Sequence, residues 1–347
     1  MSSSPVEARG AQATSLETPH DNNVRPPGAD TRTPAPATTA VCVALSGGPD
    51  SLALLACAVR AGLSAHAIVV DHALQPGSAD IARRAADQAI ELGAGAEVVT
   101  VTVDGRGGLE SAARTARYAA LDRARAGRPV LLGHTMDDQA ETVLLGLARG
   151  SGARSLAGMR VWNAPWGRPL LGVRRADTIG VCAELGLTPF DDPHNSDPRF
   201  TRVRLRREAL PLLDDILHGV TPALARTAMS LREDNDTLDA LAATAYAALV
   251  GPDPRAADPG PAAGSPVPVP VEALAAHPPA IRRRVIRLWL HGCGVTDPTR
   301  PVIGAVDALV ADWHGQGGVA IGGDPDYRLE AIRTRGVLTV RRTPRRG

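Results

Sequence analysis

From residue 39 onward, the apolar residues alternate between short β-branched runs and longer stretches with helical periodicity. The strand-like runs lie at 41–45, 66–70, 97–103 and 129–133, and polar residues or glycine follow each of them. Such runs are typical of strands buried on both faces of a parallel sheet. The pattern predicts the α/β class, a parallel sheet with helices on both faces, with ligands bound at the carboxyl ends of its strands.

The pattern changes near residue 220. Thr221-Pro222 is typical of an N-cap followed by proline at the first helical position, and predicts a long helix that ends near Leu249. Seven prolines in residues 251–270 predict an extended linker. Beyond it the pattern predicts a smaller α+β domain, with helices near 281–290 and 301–313 and strands near 318–321, 327–332 and 337–342.

These boundaries divide the chain into four parts: a leader (1–39), an α/β domain (40–220), the long helix with the linker (221–270) and a smaller C-terminal domain (271–347). The leader is rich in Ser, Pro, Ala and Thr, a composition that predicts disorder. No apolar run is long enough to span a membrane and no signal sequence is evident, so we expect a cytoplasmic protein.

The composition excludes several chemistries. All 38 basic residues among the 347 are arginines, so the chain contains no lysine. A Walker-type phosphate loop, a Schiff-base enzyme and a lysyl-adduct nucleotidyl transferase each need lysine. The four cysteines, Cys42, Cys57, Cys182 and Cys293, form no Cys-x-x-Cys pair, which argues against a disulfide framework or a zinc site.

The turn after the first strand carries the strongest chemical signal. Adjacent glycines let a backbone approach a ligand closely, and the start of the next helix offers free N–H groups and a positive dipole end. The serines add hydroxyl donors, whereas Asp50 beside a phosphate requires a divalent cation between them. We therefore predict that ATP and Mg²⁺ bind at Ser46, Gly47, Gly48, Pro49, Asp50 and Ser51.

The second and fourth strands end in further candidates. We expect Val70, Asp71, Gly133 and His134 to contribute to nucleotide binding, with the apolar residues before Asp71 lining the adenine side. Since there is no lysine, a side-chain cation on the phosphates must be Arg or His, and Arg114 is our preferred candidate over Arg117.

A third set of candidates follows the fourth strand. His134, Asp137 and Glu141 share one helix face if the helix begins near residue 135. We predict that Asp137 or Asp138 shares Mg²⁺ with Asp50, and that His134 donates to the α-phosphate. The alternative is a solvated acidic helix start, which the helix dipole favours.

The Ser-Gly-Gly-x-Asp-Ser turn resembles the signature of the PP-loop ATP pyrophosphatases, which cut ATP between the α- and β-phosphates and transfer AMP to an oxygen. The downstream motifs resemble tRNA(Ile)-lysidine synthases in the same order: Asp71-His72-x-Leu74, Ala113-Arg114-x-x-Arg117-Tyr118, Gly133-His134-x-x-Asp137-Asp138-Gln139-x-Glu141-Thr142, Arg168-Pro169-Leu170-Leu171 and Asp192-Pro193-His194-Asn195. Departures from that family's pattern stand at Gln75, His194 and Val203.

This resemblance implies an adenine nucleotide α-hydrolase-like, Rossmann-like fold and a ligase that forms a C–N bond. It also implies that residues 40–220 are the PP-loop ATP-binding catalytic domain and residues 271–347 the tRNA-binding or substrate domain. The enzyme would adenylate the C2 oxygen of a cytidine at the first anticodon position of tRNA(Ile), after which free L-lysine attacks C2 and releases AMP. Glu141, Asp191 and Asp192 stay open as carboxylates that hold and deprotonate lysine. The oligomeric state is also open, a homodimer being one option.

Three arginine clusters are candidates for tRNA phosphate contact. They comprise Arg199, Arg202, Arg204, Arg206 and Arg207; Arg282, Arg283, Arg284 and Arg287; and Arg333, Arg335, Arg341, Arg342, Arg345 and Arg346. The rival functions are another PP-loop enzyme, such as a tRNA thiolase, and a nucleotide-binding regulator without chemistry. The acids Asp50, Asp137 and Asp138 argue against the regulator.

Overall fold

The computed structural model describes residues 39–74, 77–103, 109–150, 152–191, 197–251, 267–323 and 326–344. The predicted leader, except Thr39, and most of the proline-rich linker lie outside these ranges. So do Gln75, Asp192 and His194.

The catalytic domain contains a six-stranded sheet in the order β3-β2-β1-β4-β6-β5. The strands are β1 (Ala40–Leu45), β2 (Ser64–Asp71), β3 (Gly95–Thr100), β4 (Val130–Leu132), β5 (Trp162–Asn163) and β6 (Trp166–Gly167). All neighbours pair in parallel except the β5–β6 hairpin. The predicted parallel sheet is confirmed, whereas the hairpin was missed because two-residue strands show no periodicity.

Helices cover both faces of this sheet, as predicted. They are α1 (Pro49–Arg60), α2 (Ser78–Glu91), α3 (Leu109–Ala124), α4 (Met136–Ala148), α5 (Ala153–Leu156), α6 (Arg175–Glu184), α7 (Thr201–Arg204) and α8 (Leu210–Leu217), with a 3-10 turn at Pro169–Gly172 and a π-helical segment at Leu205–Ala209. Val43, Leu52 and Ala85 belong to the core on one face. Ile68 and Leu121 belong to the core on the other. Alternate β-strand residues therefore feed two separate cores.

The C-terminal domain is the predicted α+β unit. Its antiparallel sheet has the order β7-β10-β9-β8. The elements are β7 (Val269–Pro270), α10 (Val271–Ala275), α11 (Pro279–Gly292), α12 (Arg300–Ala311), β8 (Val319–Gly323), β9 (Tyr327–Thr334) and β10 (Val337–Pro344). Trp289 of α11 is buried in its core with Val306 and Leu338.

The long helix α9 (Val220–Val250) has 31 residues, close to the predicted range, but its N-cap is Gly219 and the predicted cap Thr221 lies inside the first turn. It packs against α4 and α5 of the catalytic domain and against α11 of the C-terminal domain. Arg160 forms an ion pair with Asp236 of α9. The helix thus packs against both domains and does not merely link them along the chain. Among the described residues, no helix combines the length and hydropathy needed to cross a membrane.

Candidate functional site

The turn from β1 into α1 is held by its own serines. The Ser51 hydroxyl accepts a hydrogen bond from the Ser46 amide (3.2 Å), donates to the Gly48 carbonyl (3.1 Å) and lies 3.1 Å from the Ser46 hydroxyl. Gly47 has a φ of 81°, which a side chain would strain. Pro49 begins the helix, where its missing N–H costs no hydrogen bond. The turn is therefore preorganised, with the N-terminus of α1 at its end.

Gly133 allows the loop after β4 to approach this turn. A Cβ atom at Gly133 would lie 3.0 Å from the Ser51 amide nitrogen and 3.1 Å from the carbonyl atoms of Asp50. Any side chain would push the two loops apart. The sequence expectation that these loops meet at one sheet edge is confirmed, and His134 follows directly at this point.

A cavity of about 490 Å³ opens beside Ser46 at the ends of β1 and β2. Val70 and Asp71 line it, as does Ile68. Further walls come from helices and loops: Ile81, Ala82, Ala113, Leu121, Phe190 and Phe200. This mostly apolar space next to a phosphate-type turn has the character of a nucleoside pocket.

The cation at this cavity is Arg117. Arg117 lines the cavity, and burial lowers the pKa of its guanidinium. Arg114 is exposed, and its guanidinium carbon lies 4.9 Å from the centre of the Tyr118 ring. The two arginines are three positions apart in the helix, so only the packing of α3 determines which one faces the cavity.

His134 is held in its neutral form. Burial lowers the pKa of its imidazole to about 4, and the nearby arginines Arg117, Arg168 and Arg114 act in the same direction, against Asp138. Its buried Nδ1 has no hydrogen-bond partner among the described residues. A neutral imidazole keeps one N–H donor and one acceptor nitrogen at pH 7.

Next to the turn, Asp50 and Asp138 are bridged by one guanidinium. Arg175 Nε donates to Asp50 Oδ2 (2.9 Å), and its Nη2 donates to Asp138 Oδ1 (2.8 Å). Thr178 Oγ1 donates to Asp50 Oδ1 at 2.5 Å. Burial opposes ionisation of Asp138, but Arg175 and the Thr135 amide outweigh it, so the pKa of Asp138 is lowered.

Asp137 is also bound to α6. It accepts hydrogen bonds from Arg174 Nη2 (3.2 Å) and from the Arg175 amide (2.8 Å). Carboxylate oxygens suit Mg²⁺, but arginines occupy these oxygens, and the described residues include no cluster of three potential metal-ligating side chains. Arg175 places its positive charge between Asp50 and Asp138. The sharing of Mg²⁺ by Asp50 with Asp137 or Asp138 stays a prediction.

Glu141 completes this group on the buried face of α4. Its side chain is fully buried, Arg206 Nε donates to Oε1 (2.7 Å), and Arg202 Nη1 lies 3.5 Å from Oε2. Burial raises the pKa of Glu141, against the effect of Arg206. Oε2 has no hydrogen-bond partner among the described residues. We name the group of Asp50, Asp137, Asp138, Glu141, Arg174, Arg175 and Arg206 the acid network.

Sequence reasoning missed Arg174, Arg175 and Thr178. The available signal was the arginine pair Arg174-Arg175 shortly after Arg168-Pro169-Leu170-Leu171 in a chain without lysine. It also treated Arg206 as a surface residue. The π-helical segment that carries Arg206 turns its side chain inward to Glu141, consistent with the frequent use of π-bulges at functional sites.

Several members of the three arginine clusters form ion pairs with carboxylates. Arg199 pairs with Asp197, Arg204 with Glu208 and Arg341 with Glu330. Arg282 is buried and forms an ion pair with Asp307 at 2.5 Å, so it cannot contact RNA as predicted. Its role is structural, because an unpaired buried charge in this core would be costly.

Comparison with known proteins agrees with this geometry. The PP-loop domain family matches residues 27–213 and the TilS substrate binding domain matches residues 270–339. The chain is 59% identical over 312 residues to tRNA(Ile)-lysidine synthase of Nocardia farcinica, covering 89% of this chain and 94% of that protein. It is 58% identical over 306 residues to tRNA(Ile)-lysidine synthase of Mycolicibacterium paratuberculosis, covering 87% and 91%.

Among solved structures, the U34-tRNA thiolase NcsA from Methanococcus maripaludis, with its [4Fe-4S] cluster, superimposes with a TM-score of 0.46 at 19% identity, covering 56% of this chain and 73% of that chain. The sequence relatives are far more similar and span nearly the whole chain, so the chain belongs to the tRNA(Ile)-lysidine synthase family of PP-loop proteins.

Proposed function

We propose that this protein joins free L-lysine to C2 of the cytidine at the first anticodon position of an isoleucine tRNA. The C2 oxygen of the cytosine first attacks the α-phosphorus of ATP, and pyrophosphate leaves. An amine of lysine then attacks C2, the C2–O bond breaks and AMP leaves. The products are lysidine in the tRNA, AMP and pyrophosphate, so the reaction is a ligation. The cytoplasm, where tRNA and ATP occur together, is the expected location.

One observation carries the proposal: the turn from Ser46 to Ser51 separates a nucleoside-sized cavity from a buried group of carboxylates. Ser46 lines the cavity, whereas Asp50 belongs to the acid network. A nucleotide with its base in the cavity and its phosphates on the turn would present the α-phosphate between the two.

Two groups would meet the charge that develops at the α-phosphate. Arg117 would supply positive charge from the wall of the cavity, and neutral His134, in the loop that approaches the turn, would supply an N–H group. Donors that are already in place cost no reorganisation when the charge forms. Arg114 stays a prediction as a further phosphate contact, and it would have to leave the Tyr118 ring to act.

Lysine is best placed at Glu141. A lysine ammonium needs a carboxylate that holds it and a base that removes its proton before attack. Glu141 is fully buried, its Oε2 has spare hydrogen-bonding capacity among the described residues, and its raised pKa makes it a better base than an exposed carboxylate. Asp191 is exposed, which makes it a weaker candidate.

Mg²⁺ binding by Asp50 would require a change in the ion pairs seen here. The metal would arrive with ATP, and Asp50 could meet it only after Arg175 moves off that carboxylate. Arg175 would therefore hold Asp50 and Asp138 in ion pairs until substrate binds.

The cysteines argue against the thiolase alternative. All four lie in the described part of the chain, and none of them lines the nucleotide cavity. Burial raises the pKa of the Cys42 and Cys182 thiols, which disfavours reactive thiolates.

The test is an incubation of the protein with ATP, labelled lysine and unmodified isoleucine tRNA. We expect label in the tRNA together with equal amounts of AMP and pyrophosphate. A matched tRNA with uridine in place of the first anticodon cytidine should take up no label. The proposal is wrong if lysine is not incorporated and AMP release depends instead on sulfide or ammonia.

A further inference from the structure

A second cavity, of about 390 Å³, lies where α5, α9, α11 and α12 meet. Its wall contains five arginines: Arg154, Arg283, Arg284, Arg287 and Arg300. Arg154 belongs to the catalytic domain, whereas the other four belong to α11 and α12 of the C-terminal domain. We name this cavity the arginine cleft.

The positive charge of the cleft is only partly balanced. Asp239 of α9 is shared between Arg154 (2.6 Å) and Arg284 (2.8 Å). Arg283 shares Asp307 with the buried Arg282. No carboxylate residue is among those that line the cavity.

Two of the five arginines form no ion pair with a carboxylate within the described ranges. Arg300 donates to the Gly150 carbonyl (3.0 Å), and Arg287 has no hydrogen bond or ion pair there. Burial and the charge of Arg154 lower the pKa of Arg287, against the weaker opposing charges of Asp297 and Asp239. Half-buried guanidinium groups that face the same space repel each other, and an anion between them would relieve that repulsion.

We propose that the arginine cleft binds the phosphodiester backbone of the substrate RNA and so links the catalytic domain to the C-terminal domain. Guanidinium groups bind phosphate oxygens through paired, charge-assisted hydrogen bonds. The wall also contains Gly152 and Gly304, where the absence of side chains leaves room for a backbone to approach. A polynucleotide fits better than a free anion because the five arginines come from two domains, and successive phosphates of one backbone can meet several of them. This inference rests on the proposed function for its choice of RNA.

Arg287→Ala is the primary test, because this substitution breaks no hydrogen bond among the described residues. Binding of unmodified isoleucine tRNA is measured by fluorescence anisotropy over a series of salt concentrations. We expect about tenfold weaker binding and a slope of log K against log salt reduced by about 0.9, the value for one lost phosphate contact. The double variant Arg287→Ala/Arg300→Ala should show a larger loss of tRNA affinity and a larger reduction of the salt slope. Arg84→Ala, which removes an exposed arginine from α2, is the matched control and should change neither.

ATP affinity should stay at the wild-type value in every variant, which separates the cleft from the nucleotide site. Unchanged tRNA affinity and salt slope in Arg287→Ala and in the double variant would overturn the proposal. Titration with inorganic pyrophosphate tests a free anion as the occupant. Pyrophosphate binding that Arg287→Ala abolishes, with an unchanged tRNA salt slope, would also overturn it. If the wild type incorporates no lysine but Arg287→Ala still lowers the salt slope, the proposed reaction fails and the cleft proposal stands.

Discussion

The acid network and the arginine cleft use the same side chain in opposite electrostatic settings. In the acid network every carboxylate meets an arginine, and Arg175 alone contacts Asp50 and Asp138. In the cleft the arginines outnumber their acids, and Asp239 serves two of them. Paired charges hold a catalytic geometry in place and can exchange partners with a cationic ligand, whereas unpaired positive charge around open space is suited to an anion.

This contrast gives a clear experimental separation. Variants in the acid network should change chemistry and cation dependence while leaving RNA affinity intact. Variants in the arginine cleft should do the reverse.

The largest effect is expected for Asp50→Asn. Asparagine keeps the shape of the side chain but removes the carboxylate that we propose binds Mg²⁺ beside the Ser46–Ser51 turn, so pyrophosphate release should fall at least about 100-fold with tRNA affinity nearly unchanged. The measurements are pyrophosphate release and tRNA binding under the same conditions. Asp80→Asn, an exposed acid on α2, is the control. Loss of tRNA binding as well would mean that Asp50 has a structural role.

Glu141→Gln should separate the two chemical steps. The glutamine cannot hold or deprotonate a lysine ammonium, so lysine incorporation should fall about 100-fold while tRNA-dependent pyrophosphate release continues. Comparing pyrophosphate formation with label uptake over a range of lysine concentrations tests this. The control is Glu208→Gln, which removes an exposed acid that pairs with Arg204. An equal loss of both steps would show that Glu141 does not act on lysine.

Arg175→Gln should free the carboxylates of Asp50 and Asp138 from their ion pairs with the guanidinium. Two partly buried acids each lose one charged partner, at a cost of about 2 kcal/mol in the free energy of unfolding. Added Mg²⁺ without ATP should then raise the unfolding temperature of the variant more than that of the wild type. Thermal unfolding with and without Mg²⁺ measures this, with the more exposed Arg174→Gln as the control. If Mg²⁺ shifts the unfolding temperature of variant and wild type equally, Arg175 does not keep these carboxylates from binding Mg²⁺.

The smallest effect concerns His134 and pH. The pKa of His134 is about 4 in the folded protein, below its ordinary value of 6.5, so the folded state binds fewer protons than the unfolded state between these values. This contribution to stability is complete above pH 6.5 and is lost as the pH falls towards 4. His134→Asn should therefore lose less unfolding temperature between pH 7 and pH 5 than the wild type, by a few degrees. The exposed His291→Asn should behave like the wild type.

Local sequence specifies the features that are written in consecutive residues. The parallel sheet, the turn from Ser46 to Ser51 and the long helix α9 follow from local apolar patterns and glycine conformations. The loop at Gly133 lies against this turn because the carboxyl ends of parallel strands meet at one edge. The absence of lysine, which excludes whole classes of chemistry, is a property of composition alone.

Which charged side chains meet depends on how the chain packs in three dimensions. Arg175 reaches Asp50 across 125 positions and Arg206 reaches Glu141 across 65, and no local preference encodes such pairs. The choice between Arg114 and Arg117, the burial of Arg282 and the meeting of Arg154 with Arg287 each depend on how a helix is rotated and packed. Backbone conformation is set by neighbours in sequence, whereas the partner of a charged side chain is set by neighbours in space.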